Sequence, residues 1–357
     1  MHATNAVHYV NHLICIINNP RFKECVTKNR LKALKILLDD EVLQIIYDSQ
    51  DFKNLTEIDS GGSALVYDVY WKSTSRFAIK KFNKSSNKES IINEIHLTGM
   101  VSSHQNIIQF YGVTKLKDEM NYSLVLEYAD GGTLRNYLRN TITFEWDIQL
   151  RFSKEIASAV SWLHDYKEII HGDLHPNNIL IHKDTIKLAD FGRSCQKGSS
   201  NHTEAVCGVI PYMDPKFFEE NHSYRLTEKS DIYGLGVLFW ELTSRLSPFD
   251  FENKNKLEII QIKQDILNGK REIPIPNTND KFVSLYKECW RHNLDERPSI
   301  CKVIEVLDSI NPIDLIDPKN NNVSTDLNSN ESESTENEDS DLPSCDEYDI
   351  NSDRYNI

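Results

Sequence analysis

The feature that most limits what this chain can fold into is a change of hydrophobic period near residue 130. Upstream, short apolar runs lie between turn residues. Phe52 to Ile58, Leu65 to Trp71, Phe77 to Phe82, Ile107 to Val113 and Ser123 to Glu127 read as strands, with one helical stretch, Ser90 to Val101, among them. Downstream of Gly131-Gly132 the recurrence is helical, in Leu134 to Asn140, Phe144 to Asp165, Ser230 to Thr243 and Phe282 to Trp290. Strands first and helices afterwards imply an α+β chain with two unlike lobes, crossing at Glu127 to Gly132.

Charge and composition divide the chain into three segments. Residues 1–51 form a helical N-terminal extension, because Leu31, Leu34, Leu38, Val42, Ile45 and Ile46 recur near i, i+3, i+4 and i+7. Such a helix docks on the neighbouring domain or, alternatively, on a signalling partner. Residues 52–308 carry the α+β pattern. Residues 309–357 are an acidic tail of Asn, Ser, Asp and Glu, with 13 acids against two bases from Asn311 onward, so most of the formal charge of -14 belongs there. Too little apolar surface is present to offset the ordering entropy, and the tail is expected to be disordered. It is a solvating segment or, alternatively, one that recruits basic partners or is itself phosphorylated.

The seven cysteines, at 15, 25, 195, 207, 289, 301 and 345, are odd in number and contain no CxxC pair. That excludes a disulfide framework and a zinc ribbon, and reduced thiols point to a cytoplasmic protein. No apolar run reaches membrane-spanning length, and the run from Val10 to Ile17 is too short and polar-interrupted for a signal peptide. No lipidation signal and no basic stripe interleaved with aromatics is present, so neither a membrane nor a nucleic acid is an expected partner. The sequons at Asn54 and Asn201 carry no weight in such a compartment.

The chemistry concentrates in His171-Gly172-Asp173-Leu174-His175-Pro176-Asn177-Asn178-Ile179-Leu180, followed ten residues later by Asp190-Phe191-Gly192. An acid and an amide five residues apart can aim into one cleft. A carboxylate and a carboxamide oxygen suit Mg²⁺, a hard cation that favours sites shared with phosphates. A further carboxylate, Asp173, can accept a proton from a substrate hydroxyl.

With these motifs in this order, residues 52–308 resemble the protein-kinase family and imply its two-lobed fold: a small β-rich lobe with one key helix and a larger helical lobe. Ser230 to Leu242, and Cys289-Trp290 through Arg297-Pro298, give the resemblance the flavour of the tyrosine-kinase-like group, and the chain is also similar to lineage-expanded fungal kinases. The resemblance implies an ATP-dependent protein kinase of signal transduction, transferring the γ-phosphoryl group of Mg·ATP to protein hydroxyls. Tyr212-Met213 leans towards Ser/Thr, with tyrosine or dual specificity left open. The runner-up is a pseudokinase, a scaffold that binds ATP weakly or not at all.

By matching position, Asp173 is the implied base, Asn178 and Asp190 the Mg²⁺ ligands, Lys80 the cation on the ATP phosphates and Glu94 its ion-pair partner, preferred over Glu89. Gly61 and Gly62 match the phosphate loop. Ile58, Val66, Ala78 and Leu180 are expected around adenine, with Glu127 to Ala129 reading its edge and Leu126 controlling the back pocket.

Four departures from the family pattern bear on activity. Asp59 and Ala64 stand where the loop has glycines, and a carboxylate beside a triphosphate predicts weaker nucleotide affinity. Gly172 stands where many members have arginine, so activity is not expected to depend on pairing that arginine with an activation-segment phosphate. The segment from Asp190 ends in Asp214-Pro215-Lys216, where the family has A-P-E. Lys216 would repel Arg297, so Asp214 or Asp295 must anchor this corner. His175 follows neither the serine/threonine nor the tyrosine rule; it contacts the transferred phosphate or merely packs. His164 and His171 are structural under the resemblance.

Overall fold

The strand-rich half closes into a single sheet. The computed structural model describes residues 46–61, 64–117, 119, 121–199, 208–219 and 224–311. Strands β1 (Ile46–Tyr47), β2 (Phe52–Ser60), β3 (Ala64–Trp71), β4 (Ser75–Phe82), β5 (Phe110–Thr114) and β6 (Ser123–Glu127) lie in the order β1-β5-β6-β4-β3-β2. Strands β2 to β6 pair antiparallel, and β1 joins β5 in parallel. Directly paired residues share a face of an antiparallel sheet, as do residues two apart along a strand. The pairs Val66↔Lys80 and Ala78↔Leu126 therefore put Val66, Ala78, Lys80 and Leu126 on one face. The intervening Val69, Ile79 and Val125 turn the other way and pack with Phe52.

Between β4 and β5 lies helix α1 (Lys88–Val101), begun by Asn87, whose side chain accepts from the Glu89 amide. Its buried stripe is Ile91, Glu94, Ile95, Leu97, Thr98 and Val101, the helical spacing of a face turned inward, with one carboxylate set among apolar residues.

The second lobe is helical: α2 (Leu134–Asn140), α3 (Trp146–Ser161), α4 (Glu228–Ser244), α5 (Lys256–Leu267), α6 (Asp280–Cys289) and α7 (Ile300–Asp308). Helix α4 is buried without interruption from Ser230 to Leu242 and is the centre of the main core, packed by α6, α3 and the loops above it. An apolar helix covered all round belongs in an interior, which is where this one lies. Short strands β7 (Ile169–Ile170), β8 (Ile179–His182), β9 (Thr185–Leu188) and β10 (Cys195–Gln196) form two small ribbons at the top of this lobe, β8 with β9 and β7 with β10. A β-sheet lobe followed by a helical lobe is the α+β architecture that the change of period predicts.

The structure departs from the pattern in several places. The run from Ile107 becomes a strand only at Phe110; Ile107 instead bridges Leu188, and the Ile108 amide donates to the Leu188 carbonyl at 2.9 Å, so the run ties the lobes together. The single helix expected over 144–165 stops at Ser161 and continues as a π-helical turn, Trp162–Lys167, ended by Glu168 at φ 54°. Ile46, at the end of the N-terminal helical pattern, is in a strand. The rest of that pattern, to residue 45, and the acidic segment from 312 lie outside the described residues, as do Gly62 and Ser63. Helices α5 and α7 carry no expectation from the sequence.

Candidate active site

Strand β4 and helix α1 bring Lys80 and Glu94 together: Nζ lies 2.7 Å from Glu94 Oε1. The same ammonium lies 2.8 Å from Asp190 Oδ2, on the loop after β9. Burial alone would pull the Lys80 pKa down, but the charges of Asp190 and Glu94 outweigh it and hold the ammonium above its ordinary value. Burial pushes Glu94 up to about 7 against the pull of Lys80, while Lys80 overrides burial at Asp190 and holds that carboxyl below its usual range. Glu89, the rival for the partner of Lys80, is exposed at the start of α1.

Asp190 adopts φ 62°, and its Oδ1 accepts from the Gly192 amide at 3.1 Å. Phe191 is fully buried, 5.3 Å from the His171 ring in an edge contact. A Cβ on Gly192 would stand 2.9 Å from Glu94 Oε2 and 3.2 Å from Asp190 Oδ1, so only glycine lets this turn sit against the lysine and its two carboxylates.

The loop before β8 carries Asp173 and Asn178. Asn178 Nδ2 donates to the Asp173 carbonyl at 2.9 Å and to Asp173 Oδ2 at 3.3 Å, and the Ala189 amide donates to the Asn178 carbonyl at 2.8 Å, joining the two motif loops. Burial would raise the Asp173 carboxyl, but His175, then Arg193 and His171, pull it down to about 2. What holds this loop is a residue far along the chain. Buried Asp231 of α4 accepts from the amides of His171 and Gly172, each at 2.8 Å, and from His164 Nε2 at 2.8 Å. Both histidines are structural, as expected; Asp231 lay unnoticed inside an apolar helix pattern.

Gly172 has φ 78°, and a Cβ there would stand 2.8 Å from Leu226 Cδ1 and 3.1 Å from the Arg193 carbonyl. A side chain at this position would therefore meet both a strained backbone and filled space.

The expected adenine residues frame the cleft from both lobes. Val66, Ala78 and Leu126 share the Lys80 face of the sheet, Ile58 stays 49% exposed on β2, and Leu180 bridges Thr133 beneath the crossing. Gly61 closes the β2–β3 turn, its amide donating to the Ala64 carbonyl at 2.8 Å; Gly62 is outside the described residues. The register pairs Asp59 with Val66, which keeps its carboxylate at this edge of the cleft. The crossing segment is clamped in a way the sequence did not reveal: Arg76 stacks on the Tyr128 ring at 3.7 Å and is forked onto Asp68 at 2.9 and 2.7 Å. Glu127 is held by Lys187 at 3.0 Å, and Ala129 follows in the same stretch.

At the lower rim, Tyr212 donates to Glu241 Oε2 at 2.5 Å, and Arg139 holds the other oxygen at 2.8 Å. Arg297 is bound by Asp214, not Asp295, while Lys216 turns to Glu219 at 2.7 Å, so the expected repulsion does not arise.

A β-rich lobe and a helical lobe, joined at one crossing with a lysine, three carboxylates and an amide gathered between them, make the two-lobed kinase fold. Residues 52–306 match the protein kinase domain, and the chain belongs to that family. It is 30% identical over 291 residues to calmodulin-binding receptor-like cytoplasmic kinase 2 of Arabidopsis thaliana, covering 73% of this chain and 69% of that one. It is 30% identical to the probable serine/threonine-protein kinase drkB of Dictyostelium discoideum, covering 77% of this chain and 39% of that one. It is 32% identical to the mitogen-activated protein kinase kinase kinase dlk-1 of Caenorhabditis elegans, covering 74% and 27%. The chain thus spans about two thirds of the first relative's length and well under half of the other two. Among the described residues no helix is long and apolar enough to cross a membrane.

Proposed function

We propose that this chain is an active protein kinase that transfers the γ-phosphoryl group of ATP to serine or threonine hydroxyls of proteins. The observation that carries the reading is the bridge of Lys80 to Glu94 and Asp190 at 2.7 and 2.8 Å, in one cleft with Asp173 and Asn178. A scaffold has no use for two carboxylates around one buried cation with a third, Asp173, in the same cleft, since burying such groups is costly. The pseudokinase alternative rests on Asp59, Ala64 and Lys216; Ala64 is buried and receives the Gly61 amide through its carbonyl, and Lys216 is paired with Glu219, which leaves Asp59.

The donor set fits a hard divalent cation. Asp190 is a carboxylate 40% exposed to the cleft, and Asn178 has its amide nitrogen committed to Asp173, leaving its carbonyl oxygen as a donor. Asn178 and Asp190 are the residues that would hold Mg²⁺, which supplies neutralisation of charge on the phosphate oxygens. Lys80, kept in place by Glu94, holds the phosphates. Asp173, ionised throughout the physiological range, orients the substrate hydroxyl and receives its proton. So weak a base suffices because a loose phosphoryl-transfer transition state asks for positioning more than for proton abstraction. Val66, Ala78, Leu126 and Leu180 enclose the base of the nucleotide, with backbone groups of 127–129 at its edge.

The serine/threonine preference is supported by the Tyr212-Met213 end of the activation segment and by relatives named as serine/threonine-protein kinases. Membership of the tyrosine-kinase-like group is supported by the α4 sequence, and likeness to lineage-expanded fungal kinases by the sequence alone. An intracellular location fits the free thiols of Cys195, Cys289 and Cys301. Residues 1–51 and 309–357 are read as segments flanking the catalytic domain at 52–308, and the N-terminal helix or the acidic tail is the candidate surface for signalling partners.

The test is phosphotransfer by the full chain with Mg·ATP and a mixed protein substrate, with Asp173→Asn as the blank and mass spectrometry to identify the modified side chain. Phosphate on Ser or Thr that vanishes in the blank is expected; no transfer above the blank overturns the reading.

A further inference from the structure

His175 is 7% exposed and opens the short 3-10 turn at 176–178, where its Nδ1 accepts from the Asn177 amide at 3.3 Å. A ring nitrogen that accepts carries no proton, so in neutral His175 the hydrogen sits on Nε2. That nitrogen lies 3.6 Å from Asp173 Oδ2. The same oxygen also accepts from Asn178 Nδ2 at 3.3 Å. The other carboxylate oxygen, Oδ1, lies towards the activation segment, where a Cβ on Gly208 would stand 3.5 Å from it. The ring is backed by Tyr212, centroid to centroid 6.2 Å, and Tyr212 is fixed in turn by Glu241.

We propose that His175 is a positioning residue that, as the Nε2–H tautomer, fixes the Asp173 carboxylate so that Oδ1 alone is presented to the substrate hydroxyl. This rests on the reading of Asp173 as the proton acceptor. His175 acts here as a donor to the carboxylate through Nε2, while Nδ1 is engaged by the Asn177 amide, which fixes the ring's orientation. A 3.6 Å approach is long for a hydrogen bond; catalytic hydrogen bonds commonly tighten only when substrate arrives.

Two substitutions separate this role from simple capping of the turn. His175→Asn keeps an acceptor at the distance of Nδ1 and caps the turn, but its amide is too short to reach Asp173. His175→Gln keeps a donor at the distance of Nε2. In the full chain, His175→Gln is expected to retain kcat within about threefold, and His175→Asn to lose tenfold or more, with KM for ATP unchanged within twofold and the same melting temperature. Nitrogen-15 NMR of histidine-labelled protein, which needs no activity, is expected to show His175 in the Nε2–H form. Equal kcat for His175→Asn and wild type, or an Nδ1–H tautomer, overturns the proposal. Full activity in Asp173→Asn would instead overturn the reading of Asp173, whatever tautomer His175 displays.

Discussion

Arg297 and Asp214 form a buried, two-pronged ion pair, Nη1 to Oδ2 at 2.6 Å and Nη2 to Oδ1 at 2.9 Å, with neither side chain exposed. The guanidinium is also satisfied by the carbonyls of Arg291, Lys229 and His292, and Tyr224 donates to Asp214 Oδ2 at 2.7 Å. The carboxylate that anchors the end of the activation segment thus sits two residues earlier than the family's glutamate. Asp214→Asn leaves a buried cation without its counter-charge and is expected to cost about 3–5 kcal/mol. Lys216→Ala, which removes only a surface pair, is expected to cost under about 1 kcal/mol. Urea unfolding of the two variants checks the contrast, and equal losses would show that the pair is not the anchor.

Glu94 gives stability a pH dependence of definite sign. Its folded-state pKa, about 7, is above the ordinary 4.5, so the native state holds the proton more tightly than the unfolded chain. The contribution is present below pH 4.5 and is lost as pH rises through about 7. Glu94→Gln abolishes this loss. Nucleotide-free wild type is therefore expected to weaken relative to Glu94→Gln between pH 5 and pH 8, by on the order of 2–3 kcal/mol. Denaturation at the two pH values measures it; a difference that is flat, or that grows in favour of wild type, contradicts the assignment.

Restoring arginine at position 172 is expected to damage the loop. The backbone there is left-handed, which costs a non-glycine residue roughly 1–2 kcal/mol, and the new Cβ meets Leu226 at 2.8 Å, adding about 1–3 kcal/mol of overpacking. Gly172→Arg should lower the melting temperature by several degrees and reduce activity. A variant as stable as wild type and newly dependent on activation-segment phosphorylation would mean that the loop accepts the ordinary geometry after all.

Asp59 is the one loop residue that opposes a triphosphate. Removing its charge in Asp59→Ser is expected to lower KM for ATP about two- to fivefold, the effect of a partly screened like-charge contact of roughly 0.5–1 kcal/mol, with kcat unchanged. An unchanged KM would place the carboxylate out of reach of the phosphates.

Local rules carried the sequence reading a long way. Period 2 and then period 3.6 specified the order of the lobes, and the spacing of Asp173, Asn178 and Asp190 gathered three residues that the structure holds in one cleft with Lys80 and Glu94. What escaped depends on contacts made far along the chain. Asp231 reads as a stray polar residue in an apolar helix until the loop amides 59 and 60 residues away close on it. Arg76 stacks on Tyr128 only because β4 runs beside β6. The pairing of Ile46–Tyr47 with β5 lay hidden because a two-residue strand carries no period of its own. Gly172 read only as the absence of an arginine and its phosphate pairing, because a sequence shows the residue and not its φ.

The Lys80 bridge also sets the charges that an incoming nucleotide meets. In the cleft Lys80 faces two carboxylates, Asp173 and Asp190, that are both held ionised. A bare triphosphate approaching it meets repulsion from the same side chains that later serve it. A divalent cation held by Asn178 and Asp190 would offset that repulsion, so the carboxylates that burden the empty cleft are also what would make it selective for a metal-bound triphosphate.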